Sequence, residues 1–127
     1  MSLILLTPEQ VDALHDMVLN PGDLPGRARD KSLEGALSRV DNRLVYGLIE
    51  DAFDLAAAHA EAISQGHCFN DANKRTAYRA MIVCLHLNGV TITHDTEDAG
   101  QQVIRLAQDG TDAADLACWL RRRSRPD

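Results

Sequence analysis

Residues 67–75 bring the chemically reactive side chains of this chain together in one short polar segment. His67 can accept a proton, Asp71 offers a carboxylate, and Lys74 and Arg75 carry positive charge. The segment lies between an amphipathic stretch and a nearly all-apolar one, so we expect a turn that leads into a buried helix. The first N–H groups of a helix have no partner within it, and its dipole adds partial positive charge there. This pattern predicts a site for a phosphate group.

Each reactive side chain has a defined part in phosphate chemistry. Lys74 supplies a point charge, whereas Arg75 supplies a fork of hydrogen-bond donors. Asp71 provides a hard oxygen ligand for Mg²⁺, which in proteins usually binds one or two carboxylates together with substrate phosphates. His67 precedes Asp71 by four residues and can take a proton from a hydroxyl beside the bound phosphate if the turn folds back. Phe69 is apolar in this polar segment, and we expect it to anchor the turn in the core.

Other readings of the same residues have to be weighed. A histidine between helices is commonly structural, and the Asp-Ala-Asn of residues 71–73 is by itself an ordinary helix cap. A P-loop is excluded because Gly66 stands eight residues before Lys74, with no second glycine between them. A zinc site would need clustered ligands, and His67 and Cys68 form an isolated pair. The combined spacing, and no single residue, favours the phosphate site.

Helix signals dominate the rest of the chain, beginning near the N-terminus. Thr7 is placed to cap a first helix that runs through Val18, with Pro8 in its first turn and Gln10 at the capping-box position. Residues 20–31 begin with proline and glycine breakers and are predicted to form a loop. Apolar residues spaced by three and four then indicate helical stretches over residues 33–44 and 49–63, the second ending at Gly66, with a kink at Tyr46 and Gly47 left open.

The C-terminal half continues the helical pattern. Residues 80–87 are apolar on nearly every side, so we expect this helix in the centre of a bundle. Residues 90–93 fit a very short strand or an extended connector. Asp95 is predicted to cap a helix that ends near Gln108, and Thr111 to cap the last one. These signals predict a single all-α domain over residues 1–127, a compact bundle of about six helices with at most one very short β segment.

Composition narrows the classes of function. The 127 residues are 45% apolar and carry a formal net charge of −6, which argues against nucleic acid as the main partner. The three cysteines are scattered and are expected to be reduced thiols. The apolar run Leu3–Leu6 lacks the flank of a signal peptide, and no stretch approaches the ~20 apolar residues of a membrane span. We therefore expect a cytoplasmic protein that binds no membrane.

The reactive segment resembles the Fic motif, in which seven positions are specified: histidine, phenylalanine, an acid, glycine or alanine, asparagine, glycine or lysine, and arginine. All seven are filled here, by His67, Phe69, Asp71, Ala72, Asn73, Lys74 and Arg75. Alanine and lysine, where most Fic proteins carry glycine, are typical of the death-on-curing (Doc) toxin branch. The length, the turn at residues 24–26 and the all-helical pattern are similar too, so the resemblance covers essentially the whole chain.

The resemblance implies an activity and a role for each residue. His67 is the expected general base and Asp71 the expected Mg²⁺ ligand. ATP phosphates would be bound by Ala72, Asn73, Lys74, Arg75 and Arg79. Because Lys74 occupies space where an α-phosphate would otherwise meet bare backbone, transfer of the γ-phosphate of ATP is expected. By analogy, the target is a threonine hydroxyl of elongation factor Tu, whose modification blocks translation.

Two departures from the general Fic pattern bear on regulation. The usual second arginine, three residues after the first, is replaced by Tyr78. Arg79 can substitute for it in part, because residues three and four positions after Arg75 both lie on the same helix face as Arg75. An internal inhibitory helix is not matched well, since residues 93–97 are followed by Asp98 where glycine or asparagine is usual. The resemblance therefore implies a toxin–antitoxin pair, in which the disordered tail of an antitoxin folds on binding.

Three alternatives to the kinase remain at this point. The same site could transfer AMP to a protein hydroxyl, as most Fic enzymes do. The chain could instead be a non-catalytic module that binds a nucleotide or a protein. A ribonuclease toxin conflicts with the acidic charge and with the single histidine, His67, of the reactive segment.

Overall fold

Six helices make up the regular structure of residues 2–124, the part of the chain that the computed structural model describes. In chain order they are α1 (Pro8–Val18), α2 (Leu33–Val45), α3 (Ala52–Gly66), α4 (Asn73–Leu87), α5 (Thr96–Ala107) and α6 (Ala113–Arg121). Two isolated β-bridges, Arg27 with Phe69 and Ile92 with Ser124, are the β structure of these residues. The predicted all-α class and the number of helices are confirmed. No helix among these residues has the length and hydropathy needed to cross a membrane.

The helix starts follow capping chemistry. The Thr7 hydroxyl accepts the N–H of Gln10 at 3.2 Å, and the Gln10 side chain accepts the N–H of Thr7 at 2.9 Å, which completes the predicted capping box. Asp95 caps α5 as predicted. The prediction that Thr111 caps the last helix is wrong, because the Asp112 carboxylate accepts the N–H of Asp115 and α6 begins one residue later. Asp51 caps α3, so Ile49 lies before that helix and reaches the core from the connecting segment.

Helix α3 is the centre of the bundle. It packs against α2, α4, α5 and α6, and its buried residues include the run from Leu55 to Ala60. The nearly all-apolar pattern of residues 80–87 predicts that place for α4 instead, and this prediction is wrong. In the structure Ala80, Met81, Cys84 and Leu85 are buried, but Leu87 is exposed and the two residues after Met81 are half-buried, so α4 has an outer face. Small alanines let α3 approach four neighbours at once.

Tyr46 and Gly47 separate two helices. Helix α2 ends at Val45, Tyr46 follows as its C-cap, and Gly47 has a φ of +74°. A left-handed residue at this point ends a helix and favours glycine. The sequence left open whether a kink lies at this point. The structure shows two separate helices joined by a non-helical segment.

Gly66 is required by close packing. It is the last residue of α3, and a Cβ placed there would lie 2.9 Å from Sγ of Cys68 and 3.3 Å from Cβ of Ala36. The left-handed residue that ends the helix is His67, with a φ of 48°. Gly66 thus permits α2 and α3 to touch immediately before the reactive turn, whereas the breaker role expected of it belongs to the next residue.

The three cysteines are free thiols, as expected. Cys68 and Cys84 are buried and Cys118 is exposed. Burial raises the pKa of Cys84 to about 12 and also raises the pKa of Cys68. A thiol with a raised pKa is a poor nucleophile, so these two buried cysteines pack as small apolar residues.

His59 joins the N-terminal segment to the central helix. Its Nε2 accepts the N–H of Leu6 at 3.3 Å, and its side chain is buried. Within residues 2–124, Nδ1 of His59 has no hydrogen-bond partner. Burial lowers the pKa of His59 to about 4, below the ordinary value of about 6.5.

This burial predicts a loss of stability in mild acid. Between pH 6.5 and pH 4, His59 is protonated in the unfolded chain but largely neutral in the folded chain. The free energy of unfolding should therefore fall as the pH falls through that window. The contribution of this residue is roughly 3 kcal/mol at pH 4. Denaturant unfolding at pH 7 and pH 4 measures it.

His59→Gln keeps an acceptor for the N–H of Leu6 and removes the titration, so its stability should depend less on pH than that of the parent. His86→Gln, at an exposed position of α4, is the matched control and should behave like the parent. Equal losses for the parent and His59→Gln would contradict the assignment.

Candidate functional site

His67 and Asp71 lie on the turn His67–Ala72 between α3 and α4, and Lys74 and Arg75 follow in the first turn of α4. Both ends of this turn have left-handed backbone, with a φ of 48° at His67 and 64° at Ala72. Such a conformation costs a residue with a side chain about 1–2 kcal/mol. It persists only where surrounding contacts offset the cost, and strain of this kind clusters at functional sites.

Asn73 offsets part of that cost from the first position of α4. Its Oδ1 accepts the N–H of Phe69 at 3.1 Å, and its Nδ2 donates to the carbonyl of Phe69 at 2.9 Å. The Thr76 hydroxyl, fully buried, donates to the carbonyl of Ala72 at 2.8 Å. The oxygen and the nitrogen of the Asn73 side-chain amide thus both fix the shape of the turn. The sequence did not reveal this positioning role.

Phe69 fixes the middle of the turn against α1. Its side chain is 3% exposed, and its ring stacks on that of His15 with centroids 3.9 Å apart and planes 9° apart. Nε2 of His15 lies 2.9 Å from the carbonyl oxygen of Asp71. Because a carbonyl only accepts, Nε2 must carry the hydrogen. His15 therefore supports the turn at two points, and no motif pointed to it beyond its place on the buried stripe of α1.

The loop between α1 and α2 covers the turn from the other side. The N–H of Ala28 donates to the carbonyl of Cys68 at 2.8 Å, and the N–H of Asn70 donates to the carbonyl of Gly26 at 3.1 Å. The N–H of Leu24 donates to Oδ2 of Asp71 at 2.8 Å. The first two bonds form a short antiparallel pairing, and the third sets the orientation of the Asp71 carboxylate.

Arg27 holds that loop in place. Its guanidinium binds Asp12 of α1 at 2.6 Å and Glu34 of α2 at 2.5 Å. The hydrogen bonds from Arg27 hold the pKa of Glu34 below its ordinary value. One side chain therefore links two helices to the segment that pairs with the turn.

The N-terminus of α4 differs from every other helix start in residues 2–124. The remaining five helices have a side-chain cap and an acidic residue in the first turn, whereas α4 has neither. Its first turn carries Lys74 and Arg75 instead, which the helix dipole disfavours. The N–H groups of Asn73, Lys74 and Arg75 have no acceptor within the helix. An anion at this point would satisfy the N–H groups and neutralise both cations.

A pocket of about 340 Å³ opens at this helix end. The residues that line it are Ser64, His67, Asn70, Asp71, Ala72, Asn73, Lys74 and Arg75. The set includes six of the eight residues that the sequence singled out. His67 is exposed, so a hydroxyl brought by another molecule has access to its ring.

Arg75 is already oriented. Its Nη1 donates to the carbonyl of Val18 at 2.6 Å, and its Nη2 donates to Oδ2 of Asp23 at 2.7 Å. The backbone N–H of Asn20 and the guanidinium of Arg75 hold the pKa of Asp23 below its ordinary value. Asp23 was missed in the sequence because it lies in the loop of residues 20–31, among turn residues that occur in most loops.

Arg79 and Phe69 are the two predicted site residues that do not line this pocket. Phe69 lies beneath it in the core. Arg79 lines a neighbouring groove together with Tyr78, on the side of α4 that faces α5. Lys74 and Arg75 line both the pocket and the groove, because they stand at the boundary between them.

Asp71 is suited to Mg²⁺ only as one ligand among several. Its Oδ1 makes no hydrogen bond within residues 2–124, whereas Oδ2 is bound by the N–H of Leu24. No cluster of three or more histidine, cysteine or acidic ligands occurs in that range. One carboxylate with a free oxygen fits an ion that takes most of its ligands from phosphates and water, as Mg²⁺ does.

Comparison of the sequence with known proteins identifies a family and two relatives. The model of the Fic/DOC family matches residues 5–85. The chain is 35% identical over 118 residues to "Protein kinase doc" of Escherichia phage P1, covering 92% of this chain and 93% of that protein. It is 37% identical over 73 residues to "Toxin Doc" of Mycolicibacterium smegmatis, covering 54% of this chain and 55% of that protein.

The support that His15 gives the turn can be measured through stability. His15→Leu keeps an apolar side chain against Phe69 but removes the donor to the carbonyl of Asp71. Leaving a part-buried carbonyl without its partner should lower the free energy of unfolding by roughly 1–3 kcal/mol, as determined by denaturant titration.

His86→Leu, a histidine exchange at an exposed site, should change the free energy of unfolding by less than about 0.5 kcal/mol. Equal stabilities of the parent and His15→Leu would show that this hydrogen bond contributes nothing to the fold.

Proposed function

This chain belongs to the Fic/DOC family, and we propose that it is a toxin that transfers the γ-phosphate of ATP to a hydroxyl of another protein. The observation that carries the proposal is the start of α4. It has no side-chain cap and no acidic residue in its first turn, which carries two cationic side chains beside a pocket that His67 also lines. The names of the two relatives, a protein kinase and a toxin, agree with it.

Phosphate binding follows from the helix end. The N–H groups of Asn73, Lys74 and Arg75 would donate to phosphate oxygens, and the two cationic side chains would neutralise their charge. In this arrangement Asn73 acts through its backbone, since its amide is bound to Phe69. The role of Ala72 is conformational, because its left-handed backbone aims these N–H groups at the pocket.

The chemical step needs a base beside the terminal phosphate. His67 would take the proton of the target hydroxyl as its oxygen forms a bond to the γ-phosphorus and the bond between that phosphorus and ADP breaks. Asp71 would hold Mg²⁺ through its free oxygen, and the ion would supply charge stabilisation to the phosphates. Products are a phosphorylated protein, ADP and the proton on His67.

Lys74 is the basis for choosing the γ-phosphate. Its side chain lines the pocket at a position where glycine would leave bare backbone for an α-phosphate. Transfer of AMP by the same residues is the second candidate, because most Fic enzymes transfer AMP to a protein hydroxyl. We keep elongation factor Tu as the proposed target, by analogy with the family, and an antitoxin whose disordered tail folds on binding as the proposed partner. Both would be met in the cytoplasm.

Labelled ATP separates the two reactions. The purified chain is incubated with Mg-ATP and a bacterial lysate, and labelled protein is identified by mass spectrometry. We expect label from the γ position on one protein of the size of elongation factor Tu. Label from the α position alone would contradict the kinase and establish AMP transfer.

Substitution of the base tests catalysis. His67→Ala should lower the rate of transfer by at least about 100-fold, because general-base catalysis typically contributes 10²–10⁴-fold. His86→Ala, a histidine on the exposed end of α4, is the control and should keep the rate of the parent. Growth inhibition by His67→Ala equal to that of the parent would remove catalysis from the function and favour a binding module.

Substitution of Asp23 is expected to strengthen phosphate binding, whereas substitution of His67 is expected to weaken activity. Its carboxylate competes with a phosphate for Arg75, so Asp23→Asn should tighten the binding of inorganic triphosphate about two- to fivefold, the effect of one exposed ion pair. Calorimetric titration at low ionic strength measures the affinity. Asp41→Asn, at an exposed position of α2, is the control with the same charge change. Weaker binding by Asp23→Asn would mean that Asp23 orients Arg75 for the phosphate and does not compete with it.

A further inference from the structure

Positive charge is concentrated on two segments that meet at the reactive turn. Residues 27–39, the end of the loop after α1 and the first half of α2, hold four lysine or arginine side chains and two acids. Residues 67–79 hold three lysine or arginine side chains and one acid. Each segment thus has a surplus of positive charge, although the whole chain has a net charge of −6. A local surplus of this kind steers oppositely charged molecules to one face of a protein.

Most of these cations are unpaired. Arg27 and Arg75 bind carboxylates, and the cations of the two segments whose exposed side chains make no hydrogen bond, ion pair or ring contact within residues 2–124 are Arg29, Lys31, Arg39, Lys74 and Arg79. In the rest of that range, the arginines that bind carboxylates, carbonyls or an aromatic ring are Arg43, Arg105, Arg121 and Arg123. An exposed cation without a partner in its own chain is available to a carboxylate of another molecule.

Three of the unpaired cations, Arg29, Lys31 and Arg39, border the reactive turn and are called the cationic rim. The N–H of Ala28 donates to the carbonyl of Cys68 at 2.8 Å, so the segment that carries Arg29 and Lys31 is paired with the turn. Burial raises the pKa of Cys68, and the positive charge of Arg39 is the largest influence that opposes this rise. Arg39 therefore also lies near the turn, although it belongs to α2.

Asn70 connects the loop of the cationic rim with the phosphate pocket. It lines the pocket, its Nδ2 donates to the carbonyl of Pro25 at 2.9 Å, and its N–H donates to the carbonyl of Gly26 at 3.1 Å. His67 lines the same pocket, so a protein whose hydroxyl reaches His67 comes close to this loop. We propose that the cationic rim binds an acidic surface of the protein that receives the phosphate, an assignment that rests on the proposed function.

The charges favour an acidic protein surface over the other anions. ATP phosphates have their own cations at the start of α4, which leaves the rim for a second molecule. Nucleic acid is bound through many phosphate contacts, whereas the rim offers three cations with Asp30 between two of them. Three exposed cations are enough to guide and orient a protein partner, because complementary charge at an interface acts mainly on association rate and specificity.

Removing the rim charges tests the assignment. Initial rates of phosphate transfer from γ-labelled Mg-ATP to purified elongation factor Tu are measured against acceptor concentration, with the full chain. The combined variant Arg29→Gln, Lys31→Gln, Arg39→Gln should raise KM for the acceptor about five- to tenfold, the effect of three exposed ion pairs, with kcat within about twofold of the parent. Salt between about 20 mM and about 150 mM should raise KM of the parent, and this dependence should be weaker in the variant.

Matched variants separate charge from shape. Arg29→Lys combined with Arg39→Lys keeps the charges and should keep the KM of the parent. Arg39→Gln alone should raise KM about twofold. Arg122→Gln removes an exposed, unpaired cation outside the two segments and should leave KM unchanged. The affinity for inorganic tripolyphosphate, measured by calorimetry, should stay within about twofold of the parent in every variant, because the start of α4 is intact.

Other results overturn the assignment in distinguishable ways. Unchanged KM and salt dependence in the combined variant would remove the cationic rim from acceptor binding while the proposed function stands. A lower kcat with unchanged KM would mean that these residues serve the shape of the loop. Loss of affinity for a labelled RNA oligonucleotide with KM unchanged would make the rim a nucleic-acid surface. If the parent transfers γ-phosphate to no protein of a bacterial lysate, the proposed function fails and the assignment fails with it.

Discussion

The burial of Phe69 is the constraint on which the rest of the site depends. Its ring is stacked on His15, and its backbone is bound on both sides by the amide of Asn73. These contacts hold a turn whose two ends, His67 and Ala72, are left-handed. An apolar side chain thus stabilises a strained polar loop, because burying it offsets the cost of backbone conformations that a free peptide would avoid.

The turn is completed by parts of the chain far from it in sequence. The carboxylate of Asp71 is oriented by the N–H of Leu24, and Arg75 is oriented by Asp23 and the carbonyl of Val18. Both contacts come from the end of α1 and the loop that follows, and Arg27 anchors that loop to α1 and α2. The acid is therefore positioned before any ligand arrives, which lowers the entropy cost of binding, whereas the guanidinium is paired with a carboxylate that an incoming phosphate would have to displace.

The start of α4 carries positive charge, although the net charge of the chain is negative. The chain has a net charge of −6, yet the start of α4 combines unpaired N–H groups with Lys74 and Arg75. Every other helix of residues 2–124 begins with a capping side chain and an acid. Since charge interactions at a surface are screened over about 10 Å, the composition of the first turn decides what binds there. An acidic protein can thus still carry local positive charge at the start of one helix.

Residue patterns predicted about six helices, the Asp95 cap, the capping box of Thr7 and the segment that contains the reactive residues, although they left open whether α2 and α3 are separate. These depend on spacing and on interactions within a few residues, which a linear pattern records. Tertiary structure alone decided that α3 is central, that Gly66 is a packing requirement and that Asn73 serves the turn. It also brought His15 and Asp23 to the site and placed Arg79 in the neighbouring groove. Each of these depends on contact between residues far apart in the chain or on the geometry of close packing, and no local pattern encodes such contacts.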